Sequence, residues 1–287
     1  MGAIYKRELK AYFTGMIGYA FIAAVLLFIG IYTTAYNLKY MYPMFEYVID
    51  SSTILYVIVV PILTMRVLAE ERRQKTDQLI YSLPLRLTDV VLGKYLAMAT
   101  LLAIPMAVVS LYPLMLSRYG ALSLGTAYSA IAGFFLLGCC LIAIGLFMSS
   151  VTDSQLVAAV ASFAALILCF LMSGITQLLT TTAVASLVAL TVVSLAAGLA
   201  VRLMTGSLST ALLAGLLCEV PLVGVYMVRP AVLEGAFAQI LSALAAFDQL
   251  SNFLNGVFDL TAVVYFVSVT VLFLFFSVQS VEKRRWS

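Results

Sequence analysis

Residues 126–149, TAYSAIAGFFLLGCCLIAIGLFMS, run without a single charged side chain. A helix of about 20 such residues covers the roughly 30 Å hydrocarbon core of a bilayer. Further apolar windows fall near residues 16–36, 52–69, 90–116, 155–174, 183–202, 208–228 and 260–281, making about eight candidate spans in all. Charged residues are 10% of the chain and hydrophobic residues 64%, whereas a soluble domain carries about 25% charged residues. That balance excludes a water-soluble globule. The expectation is an all-α, polytopic transmembrane helical bundle. Pro61, Pro105, Pro113 and Pro221 lie inside the windows, where neighbouring helices can satisfy the freed carbonyls, so kinks are expected rather than helix ends.

Orientation follows from lysine and arginine, which are retained beside cytoplasmic span ends and depleted from translocated loops. With the N-terminus inside, the cytoplasmic segments hold Lys6, Arg7, Lys10, Arg66, Arg72, Arg73, Lys75, Arg86, Lys94, Arg202, Lys283, Arg284 and Arg285. Only Lys39, Arg118 and Arg229 fall outside. The bias places both termini in the cytoplasm.

The first fourteen residues form a different kind of segment. On a helical wheel Ile4, Tyr5, Leu9, Tyr12 and Phe13 occupy one half, while Lys6, Arg7, Lys10 and Thr14 occupy the other; Glu8 alone breaks the pattern. Such a helix suits the cytoplasmic membrane interface, with cations among anionic headgroups, although a plain topology-setting flank has the same charges. The most polar stretch is residues 69–89, AEERRQKTDQLIYSLPLRLTD. Helical spacing continues through Leu68, Leu79 and Ile80, the Leu83-Pro84 step then disfavours helix, and Thr88 or Asp89 can cap span three. A cytoplasmic hairpin is expected, serving either a partner or topology alone. Residues 229–259 hold an apolar run of about 16 residues, short for a span, and then an Asn-containing turn. Short interfacial or re-entrant helices are expected there.

Several chemistries are excluded. There is no histidine, so no Ser/His/Asp or Cys/His constellation, and Cys139, Cys140, Cys169 and Cys218 lie inside apolar runs rather than at metal-ligand spacing. Gly93-Lys94 is followed by Tyr95 and lacks the upstream glycine of a phosphate-binding loop, so the chain is no ATPase. The bases do not line one polar face with interleaved aromatics, so nucleic acid is not expected as a partner. Glu219 is the ionisable group nearest mid-membrane. It is a functional candidate by position, or a structural carboxyl hydrogen-bonded to a neighbouring helix.

The stretch AEERRQKTDQLIYSLPLRLTDVVLGKYLA, beginning at Ala69, resembles the signature of type 2 ABC-transporter permeases, particularly the gliding-motility-type group. Glu70, Glu71, Arg72, Arg73, Thr76, Leu83, Pro84, Gly93, Lys94 and Tyr95 carry the match. The N-terminal YKRELKAYFTGMIGYAFIA and the C-terminal FDQLSNFLNGVFDLTAVVYFVSVTVLFLFFSVQSVEKRRW agree in order. The resemblance implies one permease domain over residues 1–287 in a bacterial-type cytoplasmic (inner) membrane, dimerising with a second copy or paralogue around a substrate path. Residues 1–14 correspond to an elbow helix, 70–88 to a coupling hairpin and 229–259 to outer re-entrant helices. Glu70, Glu71, Arg72, Arg73, Lys75, Thr76, Gln78, Pro84 and Arg86 would face a separate ABC ATPase subunit, which carries the ATP and Mg; this chain itself would bind no cofactor. Lys75 stands where the family often has glycine and Gln78 where it often has an acid. Shorter members have six spans, so residues 183–228 read as an extra pair. The implied function is export of a hydrophobic or amphipathic substrate, with an extracytoplasmic accessory protein as a further expected partner. A non-translocating sensor or immunity component is the alternative; a secondary transporter would need an internal repeat, which the chain lacks.

Overall fold

A computed structural model describes residues 1–74, 86–120, 122–178, 182–192, 194, 219, 226 and 234–285. All regular structure among these residues is helical. It falls into two compact units: residues Met1–Phe170 with Ala246–Ser287, and Leu171–Ala245.

The larger unit begins with α1 (Gly2–Thr14), which ends at Gly15 in extended backbone and turns into α2 (Met16–Thr33). The turn is tight because Gly18 has no side chain: a Cβ there would lie 2.6 Å from the Tyr12 carbonyl oxygen. α2 runs on into a π-helical turn, Thr34–Lys39. Next come α3 (Glu46–Ser52) and α4 (Ile54–Thr64), joined at a bend of 49° around Thr53. The short α5 (Ala69–Arg73) follows. α6 (Leu87–Val109) and α7 (Leu111–Leu116) form one apolar stretch broken at Ser110, and α8 (Leu124–Val151) and α9 (Gln155–Leu178) complete the middle of the chain. After Ala246 come a 3-10 turn (Asp248–Leu250), α12 (Ser251–Leu254) and α13 (Leu260–Arg285). The smaller unit contains α10 (Ala183–Val192) and α11 (Ala236–Leu244).

Among the described residues, five helices are long and apolar enough to cross a membrane, Met16–Lys39, Leu87–Leu116, Leu124–Val151, Gln155–Met172 and Leu260–Lys283, and the bent pair at residues 46–73 makes six if it is one span. These six coincide with six of the eight windows read from the sequence. Of the remaining two, only Ala183–Val192, Ser194, Glu219 and Tyr226 are among the described residues. Pro61 and Pro105 sit inside α4 and α6, as expected, whereas the break at Ser110 lies just ahead of Pro113. A proline lacks the N–H that the carbonyl four residues earlier needs, and α7 accommodates it by restarting so that Pro113 falls in the first turn. The capping expectation for span three fails. α6 begins at Leu87 with Arg86 as its N-cap and no side-chain cap. Asp89 lies within the first turn, where its charge favours the positive helix end.

The core of the larger unit is α8. Buried residues make up 67% of its apolar window, against 17–33% for the other four spans. It packs against α4, α6, α12 and α13. Glycines allow the close contacts: Cβ atoms at Gly133, Gly138 and Gly145 would meet Phe253, Tyr56 and Thr64 at under 3 Å. Tyr56 stacks on Phe134 with ring centroids 4.2 Å apart, and its hydroxyl donates to the Phe134 carbonyl at 3.1 Å, so the buried phenol is both packed and satisfied. The peripheral helices instead show large apolar side chains outward, such as Leu27 and Ile31 on α2 and Val264, Val271 and Phe275 on α13. In water, patches of that size would aggregate; in lipid they are the expected surface.

Candidate functional site

At the α1 end of the bundle four charged side chains from three helices meet. Lys94, in the middle of the Gly93-Lys94-Tyr95 triplet on α6, is buried to 1% exposure. Its ammonium donates to the Val67 carbonyl at 2.9 Å and lies 2.8 Å from Glu71 Oε1 and 3.3 Å from Glu8 Oε1. An ammonium has three N–H donors, and here three acceptors surround it. Arg7 closes the group: its Nη2 is 2.6 Å from Glu8 Oε1 and 3.0 Å from Glu71 Oε1. Two cations and two carboxylates give no net charge, which is what lets a lysine lie under the surface of an apolar bundle. The hydrogen bond to Glu8, helped by the charges of Glu8 and Glu71, holds the Arg7 guanidinium even more firmly protonated than usual, against its partial burial.

The backbone makes this meeting possible. Gly93 lies under α1, where a Cβ would be 3.1 Å from Ile4 Cγ2. The absence of that carbon brings Glu8 within reach of the next residue, Lys94. Nearly two turns further along α6, Thr100 shares a 3.1 Å hydrogen bond with the Tyr5 hydroxyl, so α1 is fixed to α6 at two places. Glu8, the one acid that broke the amphipathic pattern of residues 1–14, faces inward to this lysine. Tyr12 is partly buried on the same helix, packed against the core, and desolvation raises its phenol pKa well above the ordinary value.

The start of α5 is fastened to α8 by the Ser149 hydroxyl. Ser149 Oγ accepts the backbone N–H groups of Leu68 and Ala69, each at 3.2 Å, and donates to the Met65 carbonyl at 3.4 Å. A helix start leaves its first N–H groups without intrahelical partners, and here a side chain 80 residues away supplies the acceptor. Arg72 adds to the attachment. Its side chain is 7% exposed, donates to the Thr152 carbonyl at 3.3 Å and lies 3.7 Å from Asp153 Oδ1. Ser280 on α13 donates to the Ser150 carbonyl at 3.0 Å, bringing the last helix to the same corner.

The sequence-derived site residues therefore separate. Glu71 and Arg72 point into the bundle. Glu70 forms an exposed pair with Arg66, 3.1 Å away and one helical turn earlier, and Arg73 is exposed. Arg86 is exposed at the start of α6. Lys75, Thr76, Gln78 and Pro84 lie outside the described residues. Glu219, in the smaller unit, accepts a hydrogen bond from the Ser194 hydroxyl. Sequence reasoning misses Arg7, Glu8 and Lys94 as one unit with Glu71; it places Lys94 among the topology-setting cations and in the family signature, without a partner. The one signal available was Glu8, an acid out of place.

Among the described residues, a bundle of five or six apolar helices with a neutralised charge cluster at one end defines a multi-pass membrane protein. The family model for the ABC-2 family transporter protein matches residues 6–213, and the chain belongs to that family. It is an ABC-2-type permease, the membrane component rather than the ATPase. No curated protein and no solved structure matches the chain. The matched stretch takes in α1 from Lys6 onward, the charge cluster and Ser149, extends into the 183–228 segment, and stops before α11 and α13.

Proposed function

We propose that this chain is the substrate-translocating subunit of an ATP-driven exporter, coupled through its residue 70–88 hairpin to a separate ABC ATPase that carries the ATP and Mg. The observation that carries this reading is the Arg7, Glu8, Glu71, Lys94 cluster. The base of the hairpin shares buried charges with α1 and α6, and a force applied to the hairpin would move those helices together as a rigid group. Ser149 and Arg72 would carry the same displacement to α8. The Lys and Arg bias supports cytoplasmic termini and a bacterial-type cytoplasmic membrane. The order of the three sequence blocks supports the gliding-motility-type group and pairing with a second copy or paralogue around the substrate path. The apolar composition of the spans favours a hydrophobic or amphipathic substrate, and the chain would bind no cofactor of its own.

Copurification tests the reading. The tagged protein, expressed with the genes beside its own, is expected to bring down an ABC ATPase, and recovery of the permease alone would overturn the coupling. The exposed Arg73 is the residue to reverse: Arg73→Glu is expected to weaken ATPase capture while leaving the yield of folded permease unchanged. Arg72→Glu is instead expected to loosen the hairpin base, because that side chain is buried against Thr152 and Asp153.

A further inference from the structure

A cavity of about 560 Å³ lies at the end of the larger unit opposite the Lys94 cluster. Thr126, in the first turn of α8, lines it, whereas Ser149 near the end of that helix is more than 30 Å away at about 1.5 Å per residue. α3 contributes Glu46, Tyr47 and Asp50, and α12 with the residue after it contributes Ser251 and Asn255. The volume is within the roughly 300–1,000 Å³ of ligand sites. Met44 and Tyr47 at its edge are 49% and 51% exposed, so the mouth is open to entry.

Glu46 and Asp50 stand four residues apart, on one face of α3, and both line the cavity. Among the described residues neither is paired with a cation, and no lysine or arginine lines the space they face. Glu46 Oε2 is enclosed by protein and has no hydrogen-bond partner. Withdrawing a carboxylate oxygen from water without a partner is costly, and a cation entering the cavity would supply the charge that the fold does not. The hydroxyls point the same way. Ser251 donates to the Asp248 carbonyl at 2.7 Å and Thr126 to the Ser123 carbonyl at 3.0 Å, so with their protons spent on the backbone both have only lone pairs to offer. The side-chain lining is therefore rich in acceptors, with the Tyr47 hydroxyl and the Asn255 amide as its donors.

A wall of acceptors and unpaired carboxylates selects a ligand that is positively charged and carries N–H donors. A bare divalent ion is held at about 2.3–2.6 Å by six or more oxygens, and among the described residues no group of three or more metal-ligating side chains gathers. An organic cation fills the space better, because the Tyr47 ring can face its charge or its hydrocarbon and Met44 adds apolar surface.

We propose that this cavity binds a small organic ammonium with an apolar body, its N–H groups on Glu46 and Asp50 and its body against Tyr47 and Met44. That the cavity faces away from the cytoplasm rests on the orientation proposed above; the binding itself does not.

The test uses the full chain in phosphatidylcholine nanodiscs, with empty nanodiscs as the blank. Phenethylamine and its neutral counterpart 2-phenylethanol are titrated separately, and binding is read by saturation-transfer NMR. The amine is expected to bind at least tenfold more tightly than the alcohol, and calcium at matched ionic strength to leave it bound. Asp50 is exposed, so Asp50→Asn keeps the fold and is expected to weaken the amine roughly fivefold, the scale of one partly exposed ion pair. Adding Glu46→Gln is expected to bring the amine to the level of the alcohol, whose own binding stays unchanged. Glu46→Gln alone removes an unpaired charge, so the thermal midpoint without ligand is expected not to fall. Equal binding of amine and alcohol overturns the proposal, as does an amine preference that survives the double variant. Displacement of the amine by calcium overturns it by showing an inorganic ion site. A lowered midpoint in Glu46→Gln overturns it too, since the carboxylate would then be satisfied within the fold. Failure to capture an ATPase would remove the coupling reading and leave these binding measurements untouched.

Discussion

The Lys94 ammonium lies 2.8 Å from Glu71 Oε1 at 1% exposure, and this contact joins the third apolar stretch of the chain to the short α5 that precedes it. Burying an ion pair gives little net stability by itself, because the desolvation cost is close to the Coulombic gain. Removing one partner is different, since it strands the other.

Lys94→Met is expected to destabilise the protein by about 3 kcal/mol or more, because Glu71 and Glu8 then face each other without the buried cation. Arg7→Gln removes the other cation, but that side chain is 56% exposed, and the loss is expected to stay within about 1 kcal/mol. Thermal unfolding of the two variants in detergent checks the contrast. Equal losses would show that the buried position of Lys94 is not what matters.

Ser149→Ala deletes the acceptor for two backbone N–H groups at the start of α5 and is expected to cost about 1–2 kcal/mol. The effect should be local. Hydrogen exchange at Leu68 and Ala69 is expected to accelerate while exchange in the middle of α8 stays slow, and protease cutting of the hairpin should rise in parallel.

Gly138→Ala places a methyl where Tyr56 Oη is 2.7 Å and Leu102 Cδ2 is 2.6 Å away. Overpacking of this kind costs about 1–3 kcal/mol, although alanine is the better helix former. A lowered thermal midpoint is expected. An unchanged or raised midpoint would mean that α4 and α6 can move away from α8 more easily than their packing suggests.

Asp259 accepts the Thr261 backbone N–H at 2.8 Å and the Asn252 side-chain amide at 2.8 Å just ahead of α13. The Thr261 N–H, first, and then Asn252 hold its carboxyl below the ordinary 3.8. A depressed carboxyl contributes stability that is fully present above the unfolded value and lost as pH falls through the folded one. Fraying of the α13 N-terminus is thus expected only in acid below 3.8. Asn252→Ala should move the carboxyl titration upward, which carbon NMR of a labelled aspartate reads directly.

Much of the fold was legible because lipid imposes a simple rule. Six windows found by hydropathy are six helical stretches, since in a bilayer the backbone must satisfy itself within each segment. The short helices after residue 234 were readable for the converse reason, being too brief to span. The bend at Thr53, the break at Ser110 and the start of α6 at Leu87 were less so. Each depends on how a neighbour accommodates the local backbone.

The charge cluster was hardly legible at all. Glu70 and Glu71 are adjacent and chemically alike, as are Arg72 and Arg73, and the sequence alone cannot say which member of each pair turns inward. The docking of α5 on α8 decides it: Ser149 anchors the backbone, and that sets Glu71 toward Lys94 and Arg72 toward Thr152.

The sequence by itself determined that the chain is a polytopic helical membrane protein, through the length of its uncharged runs, and it pointed to the permease family through the residues around the hairpin. Glu8 marked an inconsistency without resolving it. Only the tertiary structure supplied its partner, 86 residues away, because hydropathy is a property of local composition whereas a buried charge is tolerated only where distant helices bring it opposite charges and acceptors.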